Sequence, residues 1–349
     1  MVAILAISLI EAALESSSTG PAWSPAAKYP LQLNSAFGIA GQQCVNSTVY
    51  IYCIGGQDVN GGPRSEVYDA LVQSGTSRNI TSWTPDPHSY PVAINGQACV
   101  AYSDYAYCVG GSYDDGGDDV ASSYFTPLSG NGTTGSWTST TAYPIPVDSE
   151  YCAASIGHIY CVGGNNETDG TNADSTLSNS VWYATLSPSG IGAWSRTTPY
   201  PANIYLPSCF AYDGYIYCLG GTDINNNAES GDYSASLTPS GVGEWVATTS
   251  YPIQVSGQAC GFSSGYVDCV GGQENSNSYT NAVYYAQVSS NSIGTWKQSG
   301  NYPRSVGTTC VVSSGYMYCV GGFDSSSLGE NGATYFAPLS AIDSASGSD

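Results

Sequence analysis

Twelve cysteines are the residues that most invite chemistry. They fall into six pairs, each nine positions apart: Cys44 with Cys53, Cys99 with Cys108, Cys152 with Cys161, Cys209 with Cys218, Cys260 with Cys269, and Cys310 with Cys319. Thiols so spaced can hold a soft metal, exchange electrons or close structural disulfides. A zinc site calls for close Cys-x-x-Cys spacing or histidine partners. The spacing is wrong for that, and the chain has only two histidines, His88 and His158. Redox catalysis uses one activated pair, whereas these six copies are equivalent. Structural disulfides formed in an oxidising compartment are the economical reading.

The other candidates are acids. The stretch "SYDDGGDD" sets Asp114, Asp115, Asp118 and Asp119 around two glycines, a composition that suits a hard cation such as calcium. The spacing is not that of an EF-hand, and a solvated acidic loop is the competing reading. Asp223, Glu229 and Asp232 in "TDINNNAESGD" form a poorer version. Asp268 stands where the other five units carry Tyr52, Tyr107, Tyr160, Tyr217 and Tyr318. It reads as a neutral substitution on a solvated strand face, with a channel-facing acid as the alternative. There is no G-x-S-x-G, phosphate-binding loop or dinucleotide fingerprint, so no enzymatic activity is expected. Four Asn-x-Ser/Thr sequons, at Asn46, Asn79, Asn131 and Asn166, each fall at an expected hairpin tip or loop. That number is what chance gives at this Asn, Ser and Thr content, but the placement suits glycans.

Composition narrows the partners. The 349 residues are 42% hydrophobic and only 9% charged, with a formal net charge of −21. Six basic residues cannot neutralise a run of phosphates, which argues against nucleic acid. A surface made of Ser, Thr, Asn, Gly and Tyr suits the outside of a cell and tolerates acid.

The elements that position these residues repeat. Successive first cysteines are 55, 53, 57, 51 and 50 residues apart, and each second cysteine precedes Gly-Gly, as in "CIGG" and "CVGG". A polar loop follows, then a strand such as "VWYATL" or "AVYYAQV", then a turn and a tryptophan, as in "GAWSRTTPYP" and "GEWVATTSYP". Short alternating or β-branched runs bounded by Gly, Asn, Asp and Pro read as strands. Four of them per unit of this length match one propeller blade.

The order of hydrophobic strand, aromatic-x-Gly-Gly strand, Tyr strand and Trp strand resembles the kelch repeat, here in a disulfide-stapled, secreted or cell-surface form of archaeal type. The resemblance runs from Trp23 to about Ile342. It departs from the family pattern in the cysteine pairs, and in the Arg after the Trp strand, which occurs once, as Arg304. An Arg-based ligand site is therefore not carried over. Copper-oxidase relatives need His and Tyr ligands and a Cys-Tyr crosslink, for which no cysteine is left over. A sugar-epimerase reading needs a convergent acid–base pair that no motif announces.

The last unit stops after "TYFAPL" with no tryptophan strand, while "PAWSPAAKYP" carries Trp23 and Tyr29-Pro30 at the spacing of the later copies. The N-terminal strand is therefore expected to complete the last blade and leave no open edge. The expected fold is an all-β, six-bladed propeller of four strands per blade over residues 22–342. Trp23, Trp83, Trp137, Trp194, Trp245 and Trp296 are expected on its outer strands, packing between or within blades.

Within "CFAYDGYIYCLGG", Asp213-Gly214 is a strong two-residue hairpin turn. Counting outward from it places Cys209 opposite Cys218, within disulfide reach. Ile156-Gly157, Ser264-Gly265 and Ser314-Gly315 hold the same turn position. Each bridge closes a loop of about ten residues and should contribute about 2–3 kcal/mol.

Outside the propeller lie an apolar arm, "MVAILAISLIEAALE" within residues 1–21, and a Ser-rich tail, 343–349. The arm is too short to span a bilayer and lacks the basic start of a signal peptide. It is weakly similar to the assembly helix of type IV pilin-like subunits. Self-association through it is expected, with a targeting segment as the alternative and membrane contact limited to this segment. The expected function is that of an extracellular structural or interaction protein, a subunit of a surface filament or layer. The alternatives are a carbohydrate-binding adhesin using the loops after Gly-Gly and around Tyr-Pro, or an extracellular carbohydrate-active enzyme.

Overall fold

The structure is a computed structural model, and it describes residues 22–30, 40–58, 62–75, 77–113, 118–166, 176–276, 278–324 and 332–339. The apolar arm, the Ser-rich tail, and Asp114 and Asp115 of the acidic loop lie outside the described residues.

Six antiparallel sheets form six blades. Blade 1 runs Gln43–Asn46, Tyr50–Ile54, Val67–Leu71 and Thr84–Pro85, from channel to rim. Blade 2 repeats this with Ala98–Tyr102, Tyr105–Val109, Ser123–Pro127 and Thr138–Ser139. Blade 3 has Tyr151–Ser155, His158–Val162, Val181–Ser187 and Ser195–Arg196. Blade 4 has Ser208–Tyr212, Tyr215–Leu219, Asp232–Thr238 and Val246–Ala247, and blade 5 has Ala259–Ser263, Tyr266–Val270, Ala282–Ser289 and Lys297–Asn301. Blade 6 takes Val306–Ser313, Tyr316–Asp324 and Thr334–Pro338 from the end of the chain and Ser24–Pro25 from its beginning. Ser24 pairs with Phe336 and Pro25 with Tyr335, so the ring closes as expected.

The register of each inner hairpin follows from its turn. In blade 4, Tyr212, Ala211, Phe210 and Cys209 face Tyr215, Ile216, Tyr217 and Cys218. Asp213 and Gly214 both take positive φ, 47° and 78°, the conformation that matches strand twist in a two-residue turn. The same opposition sets Cys44 against Cys53 in blade 1, Cys99 against Cys108 in blade 2 and Cys152 against Cys161 in blade 3. It sets Cys260 against Cys269 in blade 5 and Cys310 against Cys319 in blade 6. All six pairs are bridged at a Cα–Cα distance of 4.1 Å, and none of the twelve cysteines is free. In every blade the second-strand cysteine, from Cys53 to Cys269 and Cys319, is fully buried.

The core lies between blades. Each of six apolar clusters joins two neighbours, as when Cys53 and Ile51 of blade 1 meet Tyr318, Val320 and Phe336 of blade 6. A T-shaped aromatic pair marks every junction. Trp83 meets Tyr29 at 5.0 Å, Trp137 meets Tyr90 at 4.9 Å, Trp194 meets Tyr143 and Trp245 meets Tyr200 at 4.9 Å, and Trp296 meets Tyr251 at 4.8 Å. Trp23 against Tyr302 at 4.8 Å closes the circle. Each tryptophan sits just before its outer strand rather than within it. Five of the indoles donate to a backbone carbonyl of the preceding Tyr-Pro segment, for example Trp83 Nε1 to Ala27 O at 3.1 Å. The tryptophans therefore hold blades together, and such pairs add about 0.5–1.5 kcal/mol each beyond their buried area.

In blades 1 to 5 Gly-Gly follows the end of the second strand, where the next blade is too close for side chains. A Cβ on Gly110 would lie 2.5 Å from Val147 O of blade 3. The N–H of Gly111, at φ +100°, donates to that same carbonyl at 2.8 Å. Second-strand tyrosines span the junctions on the other face. Tyr52 donates to Ser129 O at 2.8 Å, Tyr107 to Ser187 O at 2.9 Å, and Tyr318 to Arg78 O at 2.7 Å.

Asp268 takes this position in blade 5, and here the expectation of a solvated strand face is corrected. The residue is 1% exposed, flanked in the sheet by Gly261 and Tyr285. The middle of each second strand has a blade against each side, so both of its faces are buried there.

Candidate ligand-binding site

The channel mouth is built by the residues that lead into the inner strands. They read "GQQC", "GQAC", "SEYC", "LPSC", "GQAC" and "GTTC" from blade 1 to blade 6. The first residue of each of the first five is left-handed: Gly41 at φ 65°, Gly96 at 66°, Ser149 at 54°, Leu206 at 52° and Gly257 at 61°. From blade 2 to blade 5 this turns the backbone so that the N–H meets the carbonyl of the blade before. Gly96 donates to Gly41, Ser149 to Gly96, Leu206 to Ser149 and Gly257 to Leu206, at 2.9–3.1 Å. The result is a belt of main-chain hydrogen bonds around the mouth. Blade 6 enters without the left-handed step, through a register shift between Gly307 and Thr309.

The second lead-in residue points back toward the preceding blade. Gln42 Nε2 donates to Val320 O, Gln97 Nε2 to Ile54 O and Gln258 Nε2 to Leu219 O, each at 2.9 Å. Those three carbonyls occupy the same place, at the end of a second strand. In blade 3 the position is Glu150, 4% exposed, whose carboxyl oxygens make no hydrogen bond among the described residues. Burial pushes its carboxyl well above the ordinary carboxylate range, and Asp148 and Asp119 push it the same way. The backbone N–H groups of Glu150 and Ala98 offset this in part. A carboxylate, unlike the Gln amides, has no hydrogen to offer the corresponding carbonyl of blade 2, that of Val109; only the protonated acid could donate there.

Above this belt lies a cavity of about 340 Å³. Its described lining comes from all six blades and is rich in amides and hydroxyls, with Gln43, Gln57, Asn95, Ser256, Gln273 and Thr309 among them. Phe323 stands at its edge, 45% exposed, and Tyr279 beside it is half-buried. Among the described lining residues, Glu150 is the one acid, and there is no Lys, Arg or His. The loops after Gly-Gly share this face, and two of them expose Tyr113 and Ile224.

The other residues singled out in the sequence disperse. Asp119 pairs with Ser112 and is buried, and the Asp118 carbonyl accepts from Tyr113 N–H at 3.3 Å, so these two close the base of their loop. Asp223 accepts from the N–H groups of Asn225 and Asn227, both at 2.8 Å, which lowers its pKa. Asp232 is buried and accepts from Trp296 Nε1 at 3.2 Å, while burial raises its pKa well above the usual range. Glu229 is raised by burial and by Asp223. Among the described residues no three His, Cys, Asp or Glu side chains group as metal ligands. His88 lies 3.4 Å from Asp86, and His158 sits on a hairpin tip, its Nδ1 3.0 Å from Ile156 O.

Two acids went unnoticed in the sequence. Glu150 stands out once the six lead-ins are aligned on their cysteines. Asp69, opposite Tyr52 in the sheet, is pushed up to about 6 by burial and by Asp86. Nothing in its surroundings in the sequence marks it.

No protein-family model matches the chain, and no curated protein matches its sequence. The six-bladed architecture rests on the strand pairing itself. Six intrachain disulfides are typical of extracellular proteins.

Proposed function

We propose that this protein is an extracellular interaction protein that binds neutral glycans at the channel mouth, on a kelch-type repeat modified by cysteine pairs. One observation carries the reading: a cavity of about 340 Å³ whose described lining offers amides, hydroxyls and an exposed aromatic face, without a basic side chain. Small-ligand sites are typically concavities of about 300–1,000 Å³ with a few convergent polar groups. Hydroxyls of a sugar need such donors and acceptors, and an aromatic face suits its C–H side. Glycosidic hydrolysis would need two facing carboxyls, and the described lining supplies only Glu150. Binding without turnover is therefore the reading adopted.

The test is a glycan array probed with and without calcium, the cation proposed for the loop of Asp114, Asp115, Asp118 and Asp119. A glycan hit that is lost in Phe323→Ala and in Gln273→Ala is the expected result. An array silent in both conditions removes the reading. The sequence of the apolar arm supports a second reading, assembly of copies into a surface filament or layer through residues 1–21. Electron microscopy of native material showing only dispersed monomers would overturn that one.

A further inference from the structure

The fold sorts the four sequons by what their carboxamides are doing. Asn46 ends the inner strand of blade 1, and its Nδ2 donates to Val312 O of blade 6 at 3.0 Å. Asn166 Nδ2 donates to Pro146 O. The sequon of Asn79 runs into Ile80, a fully buried core residue bridged to Val72. A glycan on Asn46 or Asn166 would have to displace a contact of its own carboxamide, and one on Asn79 would grow from a half-buried side chain whose Oδ1 is itself buried.

Asn131 is different. It is exposed, on the connection between the third and outer strands of blade 2. Its Oδ1 accepts from the hydroxyl of Thr133, the third residue of its own sequon, at 3.1 Å, and from the hydroxyl of Ser129. Its Nδ2 makes no hydrogen bond among the described residues. The base of the loop is held firmly. Leu128 bridges Thr134, Ser129 N–H donates to Thr133 O at 3.1 Å, and Thr134 N–H donates to Asp86 of blade 1 at 2.6 Å. The loop thus presents a fixed carboxamide whose oxygen is engaged and whose nitrogen is the available end.

We propose that Asn131 carries an N-linked glycan in the native protein, and that Asn46, Asn79 and Asn166 do not. The donor is an oligosaccharide on a polyprenyl diphosphate, delivered by a transferase of the producing cell. A bond forms between Nδ2 of Asn131 and C1 of the sugar. The C1–O bond to the diphosphate breaks, the lipid diphosphate leaves with that bonding pair, and one amide proton passes to a base of the transferase. Asn131 lies at the end of the blade opposite the channel mouth, since the third strand runs away from Gly-Gly toward it. A glycan there leaves the cavity clear. The proposal stands whether or not the cavity binds sugar.

Glycopeptide mass spectrometry on protein purified from the cells that make it tests this directly. The expected result is a glycan mass on the Asn131 peptide and bare peptides for the other three. In the same cells, Asn131→Gln and Thr133→Ala should each abolish the modification, the second while leaving the acceptor residue in place. A bare Asn131 peptide, or a glycan on Asn46, Asn79 or Asn166, overturns the proposal.

Discussion

Blades 1, 2 and 5 enter the channel through Gly-Gln, and blades 3 and 4 through Ser149-Glu150 and Leu206-Pro207. The backbone path is shared, since the first residue is left-handed in all five. The Gly-Gln entries meet its demands. Glycine takes φ > 0 without steric cost, and the amide of Gln completes a hydrogen bond to the neighbouring blade. The other two entries violate both. Ser149 and Leu206 carry a Cβ into a region that costs an L-residue about 1–2 kcal/mol. Glu150 has an acid where its counterparts have a donor, and Pro207 has no side-chain donor at all. The ring is therefore uniform in its frame and uneven at its mouth. Departures of this kind cluster where a protein needs a particular shape or charge.

The frame should respond alike in every blade, and the largest expected effect tests that. Removing the bridge of blade 3 through Cys152→Ala with Cys161→Ala should cost about 2–3 kcal/mol. Removing that of blade 2 through Cys99→Ala with Cys108→Ala should cost the same, because the two loops are equal in length and equal in register. Denaturant midpoints with unchanged slopes measure both. A clearly larger loss in blade 3 would mean that its uneven mouth weakens the whole blade.

The next effect separates the mouth from the frame. Glu150→Gln should restore the donor found in blades 1, 2 and 5 and raise stability by about 1–3 kcal/mol at pH 8, the cost of leaving a buried polar group unmet. The sign of the pH dependence follows from the direction of the shift. A carboxyl raised by burial contributes no penalty while protonated in both states. The penalty grows as pH climbs from the ordinary carboxylate range toward the raised value in the folded protein. The gain from Glu150→Gln should therefore vanish near pH 4. Asp119 and Asp148, which repel a charged Glu150, steepen the difference. Thermal midpoints of both proteins at the two pH values decide it. An equal gain at both would show that the carboxyl keeps one protonation state throughout.

These contrasts also explain what could be seen before the structure. The pairing of Cys209 with Cys218 was legible because Asp213-Gly214 dictates its own register. The pairings of Cys260 with Cys269 and of Cys310 with Cys319 were legible by the same count from Ser264-Gly265 and Ser314-Gly315. Ring closure was legible because the unit holding Cys310 lacks a tryptophan strand and Trp23 lacks a blade. Glu150 was not, since a Glu for a Gln is ordinary on a surface and acquires meaning only beside the carbonyls of Ile54, Leu219 and Val320. Asp268 was misplaced for a related reason: alternation along a strand shows which residues share a face, not that both faces are covered. The cavity could not be read at all, because its lining combines short pieces of all six repeats.

The smallest effect tests the left-handed belt. Leu206→Gly should stabilise blade 4 by about 0.5–1 kcal/mol, the relief of the left-handed strain less the added freedom of glycine in the unfolded chain. Ser149→Gly should do the same in blade 3. Gly96→Ala, the converse change in blade 2, should destabilise. Its Cβ would sit 3.3 Å from Asp148 Oδ2, so the loss comes from conformation rather than from a clash with backbone. Urea titration resolves all three. If Leu206→Gly proves destabilising, the leucine is repaid by packing at the mouth, and the two uneven entries would then differ in kind: blade 4 shaped by an apolar contact, blade 3 by a buried acid.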